Sequence, residues 1–91
     1  MDHTNIVKRK GHTEKYDERK VYASSYAAVL NVHETQKVAE DIAGKVSKDI
    51  SIWIGDNKEV SSNQIFQEVT KSLAKYNKDA SFMYNTHRDV S

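Results

Sequence analysis

The sequence predicts an α+β domain: a small N-terminal β-hairpin, with a brief third strand open at residues 58–60, covering a four-helix bundle. Three observations carry that expectation. Strand-like residues flank a Gly-containing turn near the N-terminus, apolar residues then recur at helical spacing in successive stretches, and 91 residues suffice for one core but not two. The whole chain, residues 1–91, is therefore read as a single domain.

Each element has its own signal. Ile6 to Lys10 and Thr13 to Tyr16 lie on either side of Gly11-His12, a two-residue turn that suits a hairpin. Asp17 is a good N-cap and Glu18 suits the positive end of a helix. Val21, Tyr22, Tyr26, Val29 and Leu30 then share one side of a first helix over 18–31. A second helix follows Thr35, with Val38, Ala39, Ile42, Val46 and Ile50 as its stripe. Ile50, Ile52 and Ile54 alternate with Ser51 and Trp53, a period of two that predicts a short extended piece after that helix. Gly55-Asp56-Asn57 is a turn signal, and Lys58-Glu59-Val60 can add a strand. Ser61 with Gln64 three later is a capping-box pattern that opens a third helix bearing Ile65, Phe66, Val69, Leu73 and Tyr76. Asn77-Lys78-Asp79 ends it, and residues from Ala80 to about His87 form a fourth helix using Phe82 and Met83.

Composition excludes several function classes. Lys and Arg number 14 against 13 Asp and Glu, a formal charge of +1, so no bulk field selects a polyanionic partner. There is no Cys, which removes disulfide frameworks, thiolate metal sites and thiol nucleophiles. No apolar run approaches a membrane span and Met1 to Lys10 contains no signal-peptide core, so the expectation is a cytoplasmic protein without a membrane partner. His3, His12, His33 and His87 show no metal-binding spacing. Gly44-Lys45 lacks the first glycine and the Ser or Thr of a P-loop, because Ala39 and Val46 stand there. His87-Arg88-Asp89 copies a kinase tripeptide without the rest of a kinase. Tyr22 and Tyr26 fall on the predicted core stripe, which favours packing over stacking on nucleic-acid bases. Trp53 among isoleucines reads equally as a buried side chain under the sheet or as an exposed edge for association.

The chemistry-bearing stretch is the N-terminal one. Six of the 14 basic residues, Lys8, Arg9, Lys10, Lys15, Arg19 and Lys20, lie in the first 20 positions. A hairpin brings Lys8 and Arg9 near the start of the first helix, where unpaired N–H groups face outward and favour an anion. Lys and Arg suit a polyphosphate, while Glu14 or Asp17 can accept from a ribose hydroxyl or a base amino group. By composition alone the same residues also make an ordinary charged surface hairpin.

The string Ile6-Val7-Lys8-Arg9-Lys10-Gly11, followed by Tyr16-Asp17-Glu18-Arg19-Lys20-Val21, resembles the opening "V-x-K-R-(D/N)-G … F-(D/N)-x-x-K-(I/V)" of the ATP-cone domain. That domain is the allosteric nucleotide-binding module of many ribonucleotide reductases and of the repressor of reductase genes. Val60 to Ile65 resembles the family's entry to its third helix. Tyr84 with His87-Arg88-Asp89 resembles the ending of cones in the anaerobic reductases, and the likeness spans roughly residues 6–89. Lys10 departs from the usual Asp or Asn, the 46–65 connection is longer than in the anaerobic type, and Phe66 replaces a polar residue of some cones.

The resemblance implies a small sheet over a four-helix bundle and a site for ATP or dATP as allosteric ligand, with Mg2+ accompanying the nucleotide. It implies that Lys8, Arg9 and Lys20 contact phosphates, with Arg88 and His87 as further ligands. Glu14 and Asp17 then lie near the ribose or base, Val7 and Tyr16 flank the adenine, and Ser62 approaches the nucleotide. The implied function is non-catalytic: regulation of ribonucleotide reductase activity or assembly, in cis as a fragment or in trans. The implied partners are a reductase subunit or a second copy. The alternatives are a nucleotide-responsive transcription regulator or nucleic-acid-binding module, for which the charge balance is unfavourable, and a scaffold that has lost its ligand.

Overall fold

The computed structural model describes residues 4–7 and 13–86. Its elements are β1 (Asn5–Val7), β2 (Thr13–Lys15), α1 (Glu18–Asn31), α2 (Gln36–Ile54), β3 (Glu59–Ser61), α3 (Ser62–Tyr76) and α4 (Lys78–Thr86). The order is the expected α+β arrangement, and the optional third strand is present. The strands form one sheet in the order β2-β1-β3, with β1 antiparallel to β2 and parallel to β3. The parallel neighbour is possible because α1 and α2 carry the chain back between the two strands.

The register corrects the predicted turn. A two-residue Gly11-His12 connection would set Val7 opposite Tyr16, but Val7 pairs with Thr13. Lys8, Arg9, the turn itself, His87 and Arg88 lie outside the described residues.

Ile6 pairs with Val60 across β1 and β3, and both are buried, so this row faces the helices. Glu14, opposite Ile6 on β2, shares that face. The buried Thr4 anchors the sheet: its hydroxyl donates to the Asn57 carbonyl at 2.6 Å, and its own carbonyl accepts from the Tyr16 N–H at 2.8 Å. Beneath the sheet, Val29, Val46, Ile50, Val69 and Leu73 form the fully buried centre of the bundle. Each contributes about 1.5–3 kcal/mol by leaving water.

Three helical expectations are corrected. On α1 the buried residues are Val21, Ser25, Ala28 and Val29, while Tyr22 and Leu30 are exposed. Small residues let α1 lie close against α2, and Tyr22 stacks on Tyr26 at the surface of the core, ring centres 6.2 Å apart. Residues 50–54 are helical, not extended. Ile50 and Ile54, four apart, continue the buried stripe of Val46, whereas Ile52 points outward, 69% exposed. Three isoleucines in alternation fit either period, and packing of two of them selects the helix. Finally, α4 starts at Lys78 because Asn77 serves two helices: its N–H donates to the Leu73 carbonyl, and its side-chain oxygen accepts from the Ala80 N–H at 2.9 Å. Phe82 is exposed, and Ala80 and Ser81 make the buried contact instead.

Candidate functional site

The sheet has two distinct ends. One row, Thr13–Val7–Ser61, closes the end from which β3 runs directly into α3. The other, Lys15–Asn5–Glu59, is the end from which β2 leads into α1. Two helix N-termini therefore flank one three-stranded sheet from opposite ends.

The α3 start is built by a complete capping box. Ser61 Oγ accepts from the Gln64 N–H at 3.0 Å, and Gln64 Oε1 accepts from the Ser61 N–H at 2.9 Å. This holds Ser62, half-buried, at the first helical position beside the Val7 row. Helix N-termini of this kind present N–H groups and a positive dipole end to an anion. Val7, half-buried beside Ser61, is the last described residue before Lys8.

At the α1 start, Asp17 is the N-cap, and its Oδ1 accepts from the Arg19 N–H at 3.0 Å. The same carboxylate accepts from Arg19 Nε and Nη2, both at 3.2 Å. The Arg19 guanidinium, then the Arg19 N–H, hold the Asp17 carboxyl below its usual range. Lys20 reaches back from the first turn to Glu14, Nζ to Oε2 at 3.6 Å, joining α1 to the middle of β2. Both side chains are solvent-accessible, so this pair contributes little stability and remains available to a ligand.

Tyr16 packs against the core between these features. Its hydroxyl is buried and approaches Ser51 without closing a hydrogen bond. Burial pushes its pKa up, the Ser51 side chain opposes this, and Glu18 and Asp17 add to the rise. The phenol therefore stays neutral across the physiological range.

Of the ten predicted site residues, Val7, Glu14, Tyr16, Asp17, Lys20 and Ser62 are described. The fold gathers them around one small sheet from positions up to 55 apart in sequence. Glu14 and Lys20 are in contact, and Asp17 is engaged by Arg19. Lys8, Arg9, His87 and Arg88 belong to the segments outside the described residues.

A second polar centre was not foreseen. Asp49 Oδ2, on α2, accepts from Ser72 Oγ at 2.9 Å, Tyr76 OH at 2.9 Å and Lys75 Nζ at 2.8 Å, all on α3. Lys45 and Lys75 both lie over the Tyr76 ring, 5.5 and 5.4 Å from its centre. The spacing of Ser72 and Tyr76, one turn apart, was a visible signal of one polar face. Its carboxylate partner, 23 residues earlier, had none. Among the described residues no helix is long and apolar enough to cross a membrane.

The family model of the ATP cone domain matches residues 4–88 of this chain. No curated protein matches it.

Proposed function

This chain belongs to the ATP cone domain family, a family of nucleotide-binding allosteric modules, and from that premise we propose that it binds ATP or dATP at the Val7 end of the sheet and regulates a ribonucleotide reductase without hydrolysing the ligand. The observation that most supports this reading is that the α3 N-terminus, with Ser62 at its first position, lies at the same end of the sheet as Val7, the residue that precedes Lys8 and Arg9 in the chain. Lys8 and Arg9 follow Val7 directly in the chain. Together with Lys20 and Arg88 they supply the cations for a triphosphate, and His87 adds a further donor. By the family resemblance Glu14 and Asp17 lie near the ribose or the base and Val7 flanks the adenine, whereas Tyr16, at the other end and on the opposite face of the sheet, packs on the core.

Among the described residues no three His, Cys, Asp or Glu side chains gather as a metal cage. Mg2+, where it accompanies the nucleotide, would be held through the nucleotide's own phosphate oxygens, as small hard cations often bind. Regulation then follows from linkage. The nucleotide must bind one conformation or assembly state of the cone more tightly than another, and the reductase responds to that difference, whether the cone acts in cis within a larger chain or in trans.

Calorimetric titration of ATP and dATP into the wild-type chain, Lys20→Ala and the double variant Lys8→Ala/Arg9→Ala tests the binding step. The double variant should lose at least about tenfold in affinity, because two charge-assisted contacts are removed. Equal affinity in the wild type and the double variant would remove the proposed phosphate site.

A further inference from the structure

The sheet is tied to the end of α2 by a ring of hydrogen bonds with one step left open. Thr4 holds two of the links: its carbonyl accepts from the Tyr16 N–H at 2.8 Å, and its hydroxyl donates to the Asn57 carbonyl at 2.6 Å. The Asn57 N–H donates to the Ile54 carbonyl at 2.9 Å and the Gly55 N–H to the Ser51 carbonyl at 3.1 Å, so the turn after α2 leads back to Ser51. The open step runs from the Tyr16 hydroxyl to the Ser51 side chain, which it approaches without a hydrogen bond. That hydroxyl is buried, and a buried donor without a partner is destabilising. Among the described residues three buried side-chain polar atoms have no hydrogen-bond partner: the hydroxyls of Tyr16, of Ser25 on α1 and of Ser47 on α2, one turn before Ser51. Toward α3 the same helix is pinned, because Asp49 accepts from Ser72, Tyr76 and Lys75. The slack in the bonding of α2 therefore lies on the side of α1 and Tyr16.

We propose that Tyr16 is a positioning residue that reports the state of the sheet to α2: its hydroxyl donates to Ser51 Oγ when a nucleotide binds at the Val7 end of the sheet. This inference rests on the functional reading above. The strands are three residues long and paired along their whole length, so β1 and β2 move as one piece. Val7 stands at one end of that piece, and Thr4 and Tyr16 adjoin at the other. A tilt that seats the Val7 end on a triphosphate therefore displaces Tyr16. The buried phenol gains a bond in one tilt and lacks it in the other, which supplies the unequal affinity for two states that linkage requires. Ser51 lies two residues before Trp53, the sole tryptophan, which is half-buried against the core. Closure of the bond thus changes the surroundings of that indole.

Tyr16→Phe and Ser51→Ala, alone and together, test the link; each deletes a single oxygen and leaves the packing in place. The measurements are calorimetry with ATP and dATP, Trp53 emission during the same titrations, and urea unfolding of the chain without nucleotide. Each single variant should lose about threefold to tenfold in affinity, the worth of one neutral hydrogen bond. The double variant should lose no more than either single one, because both remove the same bond. Nucleotide should shift Trp53 emission in the wild type and not in the variants. Without nucleotide, Tyr16→Phe should be at least as stable as the wild type, since it removes a buried hydroxyl that has no partner. A permanent structural bond would instead make Tyr16→Phe less stable with or without ligand, and that result overturns the proposal. Unchanged affinity, losses that add in the double variant, or an emission shift that survives in the variants also overturn it. A wild type that binds neither nucleotide removes the functional reading and the relay together, whereas binding with a silent Trp53 removes the relay alone.

Discussion

Removing the Asp49 carboxylate should cost this domain about 2 kcal/mol, most of it through two hydroxyls. In Asp49→Ala, Ser72 Oγ and Tyr76 OH lose an acceptor that now sits 2.9 Å from each. A hydrogen bond to a charged acceptor contributes about 1.5–3 kcal/mol when buried, and the 28% exposure of the Asp49 side chain argues for about 1 kcal/mol each. The Lys75 pair adds little, because its ammonium side is mostly exposed. For a domain of this size about 1 kcal/mol moves the melting temperature by about 4–8 °C, so the expected loss is about 8–16 °C. Thermal unfolding followed by far-ultraviolet circular dichroism, at low concentration and neutral pH, measures it.

The pH dependence of that gap is a second constraint. The Lys75 ammonium first, then Tyr76 and Ser72, hold the Asp49 carboxyl below its ordinary value of 3.8, against the opposing effect of burial. A group whose folded pKa is lowered stabilises the fold above its unfolded pKa, and that stability fades as pH falls through the folded value. The gap between wild type and Asp49→Ala should therefore be constant above about pH 5 and narrow below about pH 4. A loss under about 3 °C at neutral pH, or a gap unchanged in acid, would refute the assignment of Asp49 as the polar link between α2 and α3.

Two further substitutions probe the elements that frame the sheet. Ser61→Ala removes half of the capping box and should cost about 1 kcal/mol, with faster amide exchange at the first turn of α3 and, on the proposed function, weaker ATP binding by calorimetry. Unchanged exchange at Ser62 to Gln64 would show that the cap does not hold that helix start. Gly55→Ala should cost about 1–3 kcal/mol in chemical denaturation. Gly55 has φ 52° and ψ −124°, a backbone state that side-chain-bearing residues avoid, while an added Cβ would meet nothing nearer than the Ile52 carbonyl oxygen at 3.6 Å. The cost is therefore conformational, and a neutral result would mean that the α2–β3 turn relaxes.

What the sequence by itself determined was whatever depends on neighbours a few residues away. Asp17, Thr35 and Ser61 announce three helix starts because a cap bonds two or three residues ahead, and each performs that role. The opening motif around Val7 and Tyr16 likewise marked the family before any geometry was known, since its fixed spacing survives without coordinates. Tertiary structure decided the rest. Ile50 and Ile54 are helical because a bundle core accepts them at a spacing of four, which alternation in the chain cannot reveal. Ile6 pairs with Val60 because both must face the helices together, a pairing across 54 residues. Asp49 found Ser72, Lys75 and Tyr76 for the same reason. Contacts distant in sequence leave no periodic trace, and only closure of the core brings those groups within bonding distance.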